Sequence, residues 1–235
     1  MKKKDKNDYK KYYFPCPPYD YSTFSPWFRK DFLKLYDKIK KNTVVKEDRC
    51  YILHKFSDYC SNLEGDFAEC GVYKGGTSYL IAYTLNLKSI TNKEFHIFDT
   101  FKGFPSSANV DPGVLKNQTS IREGTYGDAL FNNVKDYLKI FPFIIFHPGI
   151  IPETFKGLEV KKFAFVHIDV DLYEPAKDCC NFFYSKMVRG GIMIFDDYGF
   201  QEYIYSEKQA VDEFFSDKPE SPISLRTGQC IIIKV

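Results

Sequence analysis

The chain alternates short apolar runs with longer stretches in which apolar residues recur every three or four positions. The short runs fall near 66–70, 94–98, 143–147, 163–169 and 190–196, and two more, near 223–226 and 229–235, close the chain. Helical spacing appears near 28–41, where Phe28, Phe32, Leu35, Tyr36 and Ile39 share one face, and more weakly near 47–60. It returns near 76–87, 131–140, 174–187 and 207–216. Short apolar runs of this kind read as strands, and the 3.6-residue repeat reads as amphipathic helix. Their alternation predicts an α/β domain with a mostly parallel, seven-stranded sheet and helices on both faces. Thr227-Gly228 supplies a tight turn between the last two runs. The final strand is therefore expected to be antiparallel, inserted between its neighbours.

The 235 residues suit one such domain with a short extension, and a hydrophobic content of 44% can fill its core. We expect an N-terminal arm and covering helices over 1–60, then the sheet domain over 61–235. The arm, YYFPCPPYDYSTFSPW at 12–27, carries three prolines in four positions, which forbid a regular helix. Its aromatic side chains predict packing on the domain or on a second subunit, hence a homo-oligomer. Net charge is +2, from 33 basic and 31 acidic residues, so no global field points to nucleic acid. The six lysines of 1–11 read as a solvated terminus. With no 18-residue apolar run and no signal-peptide pattern, a cytoplasmic protein without membrane insertion is expected. The seven cysteines are odd in number and include no CxxC pair, so they read as small hydrophobes and not as a zinc or disulfide frame.

Several runs end in acidic residues or a glycine turn. In an open α/β sheet, ligands bind outside the carboxyl ends of the strands. The turn GVYKGG (71–76) follows one strand and opens a helix, which aims backbone N–H groups at a ligand. It is not the dinucleotide fingerprint, because Tyr73 stands where a glycine must let a pyrophosphate approach. Glu69 puts a carboxylate where a cationic amine would be welcome. Asp99, at the end of the next run, is placed to accept ribose hydroxyls, so an adenosine-containing ligand is expected. Asp169 and Asp171 follow one strand; Asp196 and Asp197 follow its neighbour. So many carboxylates cannot all stay ionised together without a counter-ion, and a hard divalent cation such as Mg²⁺ answers that need. His96 and His167, inside strand runs, read as buried histidines, while His147 at a strand end could face the ligand. No G-x-S-x-G, P-loop or H-E-x-x-H occurs.

Taken together, DFAECGVYKGGTS, FDTFKGFP, HPGIIPETF, HIDVDLYEPAKD, GGIMIFDDYG and AVDEFF resemble the macrocin O-methyltransferase (TylF/MycF-like) family, over about 66–215. The resemblance implies a Rossmann-like class I fold and an S-adenosylmethionine- and Mg²⁺-dependent O-methyltransferase. It implies that Glu69, Gly71, Val72, Tyr73, Thr77 and Ser78 hold the methionine end of the cofactor. Asp99 would hold the ribose, with Thr100, Asp128, Ala129 and Asp169 also at the cofactor. Asp169, Asp196 and Asp197 would bind the metal, and Asp169 would be the catalytic base. The implied acceptor is a hydroxyl on a sugar or glycosylated metabolite, a surface glycan or a natural product. A composition rich in Lys, Asn, Ile, Phe and Tyr leans towards a bacterial surface glycan. A catechol-type small molecule would suit the same carboxylates. A non-catalytic nucleotide- or glycan-binding subunit is the rival, and intact acids at every strand end count against it.

Overall fold

The computed structural model describes residues 13–16, 19–89, 92–116 and 119–235. The lysine-rich start therefore lies outside the described residues, as do the side chains of 13–22, which include most of the proline–aromatic arm. The arm's backbone is extended, with β1 (Tyr13–Cys16) antiparallel to β2 (Tyr19–Phe24). Two helices follow, α1 (Lys30–Ile39) and α2 (Glu47–Cys60). Then come β3 (Asp66–Cys70), α3 (Gly76–Leu87), β4 (Phe95–Asp99), α4 (Pro112–Leu115), α5 (Phe131–Leu138) and β5 (Ile144–Pro148). The chain closes through β6 (Phe163–Ile168), α6 (Tyr173–Phe183), β7 (Met187–Phe195), α7 (Glu207–Phe215), β8 (Ile223–Ser224) and β9 (Cys230–Ile233).

The seven-stranded sheet runs in the order β5-β4-β3-β6-β7-β9-β8. Its strands are parallel from β5 to β7, and β9 is antiparallel to both β7 and β8, so the last strand inserts between its neighbours as expected. The chain builds outward from β3 to β5, then returns to place β6 on the other side of β3. That reversal opens a crevice at the carboxyl ends of β3 and β6.

Each strand sends successive residues to opposite faces, and both faces are buried. Phe67, Ile97, Phe165, Ile192 and Ile231 pack under α1, α2, α3 and α5. Ala68, Phe98, Val166, Met193 and Ile232 pack under α6 and α7. The same alternation puts Glu69, His167 and Asp196 on the first face. Two element boundaries differ from the sequence expectation by three residues or more. β7 begins at Met187, ahead of the expected start at the Gly190-Gly191 pair; Gly190 sits inside the strand at φ +78°, and the β6–β7 register shifts there. α6 stops at Phe183, and 184–186 form a tighter single turn.

Candidate active site

The crevice is a cavity of about 630 Å³ lined from five strand ends and the 100–126 loop. Its floor depends on Gly71. This residue has φ +87°, and a Cβ there would lie 1.8 Å from the carbonyl oxygen of Asp169, so only glycine lets β3 and β6 end this close together. Gly76 opens α3 against the α1–α2 connection, where its N–H donates to the Asn42 carbonyl at 2.9 Å. That contact sets Thr43, Val44 and Val45 on the cavity wall.

Asp99 ties the glycine turn to β4. Its Oδ2 accepts the backbone N–H groups of Val72 (2.7 Å) and Tyr73 (3.0 Å), and Oδ1 accepts that of Phe101 (2.7 Å). A carboxylate offers about four lone-pair sites, so roughly one remains to face a ligand hydroxyl. Tyr73, Tyr126 and Asp171 hold left-handed backbone at φ 49°, 61° and 61°, and all three line the cavity. Strain of this kind in non-glycine residues, concentrated at one crevice, marks a functional site. The 100–126 loop is pinned over the cavity by Asp111. Its Oδ1 accepts Gly113 N–H at 2.8 Å, and its Oδ2 accepts Tyr173 N–H at 2.6 Å at the start of α6.

Behind the floor lies a buried ionic network. In register on neighbouring strands, Glu69 Oε1 and His167 Nδ1 are 2.9 Å apart. Ser78 Oγ donates to the other Glu69 oxygen. His167 Nε2 faces Asp196 Oδ1 at 3.4 Å, and Gln229 Nε2 donates to that oxygen at 2.7 Å. Arg49, from α2, donates to Asp196 Oδ2 and reaches Asp197 Oδ1 at 3.3 Å. Burial alone would lower the His167 pKa, but hydrogen bonds to Asp196 and Glu69 hold it up at about 10. Asp196 is held below the usual carboxylate range; burial opposes this, and the His167 hydrogen bond and Arg49 outweigh it.

The other carboxylates behave in the opposite way. Asp169, Asp171 and Asp197 each offer an oxygen within 4.8 Å of the other two. Burial and mutual repulsion push Asp169 and Asp197 well up, and Asp171 up to about 7. Glu207, fully buried, accepts Asp197 N–H at 2.9 Å and leaves its other oxygen without a hydrogen-bond partner. Burial pushes it up as well. An oxygen-only donor set with excess negative charge fits a hard divalent cation.

Of the residues expected at the site, Gly71, Val72, Tyr73, Thr77, Asp99, Thr100, Asp169, Asp196 and Asp197 line the cavity. Glu69 and Ser78 are buried beneath it, bonded to each other. Ala129 is buried away from it, and Asp128 is exposed and ion-paired with Lys74 at 2.5 Å. The carboxylates gathered most closely are Asp169, Asp171 and Asp197, whereas Asp196 groups with His167 and Asp169. Arg49, Gln229 and Glu207 escaped the sequence reading. Period-2 alignment of Glu69, His167 and Asp196 on one face would have predicted a buried network; nothing local to Arg49 marks it as the partner.

A mostly parallel seven-stranded sheet with an inserted antiparallel last strand, and a glycine turn and acidic strand ends at its reversal point, is the class I methyltransferase fold. The family model of the macrocin O-methyltransferases (TylF) matches residues 42–223, and the chain belongs to that family. Among solved structures, the O-methyltransferase NovP superposes with a TM-score of 0.73 at 23% identity, over 83% of this chain and 82% of that one. The calicheamicin methyltransferase CalS11 gives 0.65 at 16% identity, over 99% of each chain. By sequence, a rhamnosyl-tetracenomycin-C 4'-O-methyltransferase of Streptomyces olivaceus is 27% identical over 57% of this chain and 53% of its own length. The demethyldecarbamoylnovobiocin O-methyltransferase of Streptomyces niveus is 27% identical over 59% and 54%. The chain spans about half the length of the curated relatives it matches. Among the described residues no helix is long and apolar enough to cross a membrane.

Proposed function

We propose that this protein is an S-adenosylmethionine-dependent O-methyltransferase whose acceptor is a hydroxyl on a sugar or glycosylated metabolite. One observation carries the reading: the Gly71–Tyr73 turn, Asp99 and the Asp169–Asp171–Asp197 carboxylates share a single cavity. Similarity to enzymes named for glycosylated natural products supports the acceptor class. When bound, S-adenosylmethionine supplies a sulfonium methyl group and a divalent cation such as Mg²⁺ supplies Lewis acidity towards the acceptor oxygen. The turn and Asp99 orient the donor, and the 100–126 loop excludes water from it. Asp169 and Asp197 belong both to the expected cation set and to the closest cluster, with Asp171 and Asp196 beside them. Asp169, or Asp171 two residues on, is the proton acceptor this arrangement offers. The extended arm favours a homo-oligomer.

Isothermal titration with S-adenosylmethionine, then turnover on a panel of sugars with and without EDTA, tests the reading. Asp99→Ala should weaken cofactor binding by roughly 1.5–3 kcal/mol, since it removes both the ribose acceptor and the tie to the turn. EDTA should abolish turnover and spare cofactor binding. Unaltered affinity in the Asp99 variant, or full activity after confirmed metal removal, would sink the corresponding half of the proposal.

A further inference from the structure

At the opposite end of the same sheet, the amino ends of β3 and β4 bring together residues that the cavity does not use. Asp66 begins β3, while Glu94 and His96 flank the first residue of β4. Their ligand atoms all lie within 4.8 Å of one another. His96 is 2% exposed, and its Nε2 has no hydrogen-bond partner, although it points at both carboxylates. It stands 3.4 Å from Glu94 Oε2 and 3.7 Å from Asp66 Oδ2. Tetrahedral zinc with bonds of about 2.0–2.2 Å sets its ligand atoms about 3.3–3.6 Å apart, close to this spacing.

The second ring nitrogen completes the pattern. His96 Nδ1 and His147 Nε2 are 3.0 Å apart. This contact between the two rings fixes the orientation of His96. It turns Nε2 towards the carboxylates, as an outer hydrogen bond does for a metal-ligating histidine, and a metal bound there would displace a proton carried on Nε2. The cation's place is held by Lys161, whose Nζ lies 3.0 Å from Asp66 Oδ2 and 2.6 Å from Glu94 Oε2. The Lys161 side chain is 33% exposed and Glu94 47%, so the ammonium can swing out and an ion can enter from solvent.

We infer that Asp66, Glu94 and His96 form a second divalent-metal site, suited to Zn²⁺, with Lys161 as the resident cation that the metal displaces. One nitrogen and two carboxylate oxygens favour zinc here, whereas the cavity's oxygen-only set favours magnesium. Bound there, the ion would join β3 to β4 and release the loop that leads into β6.

The test is a Zn²⁺ titration of the chelator-treated full chain, followed by the ¹⁵N resonances of its histidines and by thermal unfolding. The His96 Nε2 resonance should move with saturation at one equivalent, and the unfolding temperature should rise. Glu94→Gln, a half-exposed change that leaves the fold intact, should weaken this event by at least about tenfold. Lys161→Met should strengthen it severalfold, and Asp197→Asn, at the other end of the sheet, should leave it unchanged. Zinc binding that leaves the His96 resonance in place, or an affinity indifferent to Glu94→Gln, would overturn the assignment.

Discussion

The two ends of the sheet use the same residue types to opposite effect. At the amino end, Asp66 has His96, the Glu94 N–H and Lys161 around it; burial would raise its pKa, and these partners hold it at about 2. At the carboxyl end, six acids (Glu69, Asp169, Asp171, Asp196, Asp197 and Glu207) meet only His167 and Arg49 as nearby cations among the described residues. Those two settle chiefly on Asp196 and Glu69, with Arg49 also reaching Asp197 at 3.3 Å, and burial with mutual repulsion drives Asp169, Asp171, Asp197 and Glu207 upward. A matched cluster stabilises the fold around it, whereas an unmatched one holds free energy in reserve for a ligand. Left-handed backbone at Tyr73 and Asp171 belongs to the unmatched end.

The largest expected effect breaks the carboxyl end outright. Gly71→Ala should cost more than about 3 kcal/mol in urea unfolding, because the new methyl meets the Asp169 carbonyl and the backbone is left-handed. A variant of wild-type stability would mean that the strand ends can part without penalty.

Next is His167→Gln, which removes one partner from a buried charge network and should cost about 3–5 kcal/mol near neutral pH. The folded pKa of His167, about 10, exceeds its unfolded value near 6.5. The stabilisation is thus complete below pH 6.5 and is lost as pH rises towards 10. Wild-type stability should fall across that window, and the variant's should not. Parallel curves would show that His167 is neutral in the fold.

A smaller change with the opposite sign sharpens the contrast. Asp197→Asn, measured in EDTA at pH 7, should raise stability by about 1–2 kcal/mol by relieving repulsion. Carboxyls with raised folded pKa values oppose folding as pH climbs from about 4, through about 7 for Asp171. The variant should flatten that decline. Destabilisation instead would make the carboxylate a structural partner of Arg49.

The smallest effect lies at the matched end. Asp66→Asn should cost under about 1 kcal/mol at pH 7, since the group is partly exposed and its ion pair is screened. Its folded pKa lies below the unfolded value, so its contribution is present above pH 4 and is lost as pH falls towards 2. The acid-unfolding midpoint should shift up in the variant; an unmoved midpoint would place the acid sensitivity elsewhere.

Local pattern carried much of this architecture. Apolar runs of strand length, bounded by Gly71 or ended by Asp99 and Asp169, announced a parallel sheet and the end at which a ligand belongs, because period and turn chemistry are properties of neighbouring residues. The Thr227-Gly228 turn foretold the antiparallel last strand for the same reason. The sequence also placed acids at every relevant strand end. It could not rank them. Whether Asp171 or Asp196 stands with Asp169 and Asp197 depends on which oxygens Arg49, His167 and Gln229 occupy, and those residues lie up to 148 positions away. Glu69 looked like a cavity carboxylate until His167 arrived in register on β6 and Ser78 closed over it from α3. His96 looked like an ordinary core histidine until β3, β4 and the loop before β6 set Asp66, Glu94 and Lys161 around its free nitrogen. Chain chemistry determined the strands, the turn and the kind of charge at each end. Packing decided which charges are neutralised and which are left waiting, because a carboxylate's state is set by partners that only the tertiary fold brings within a few ångströms.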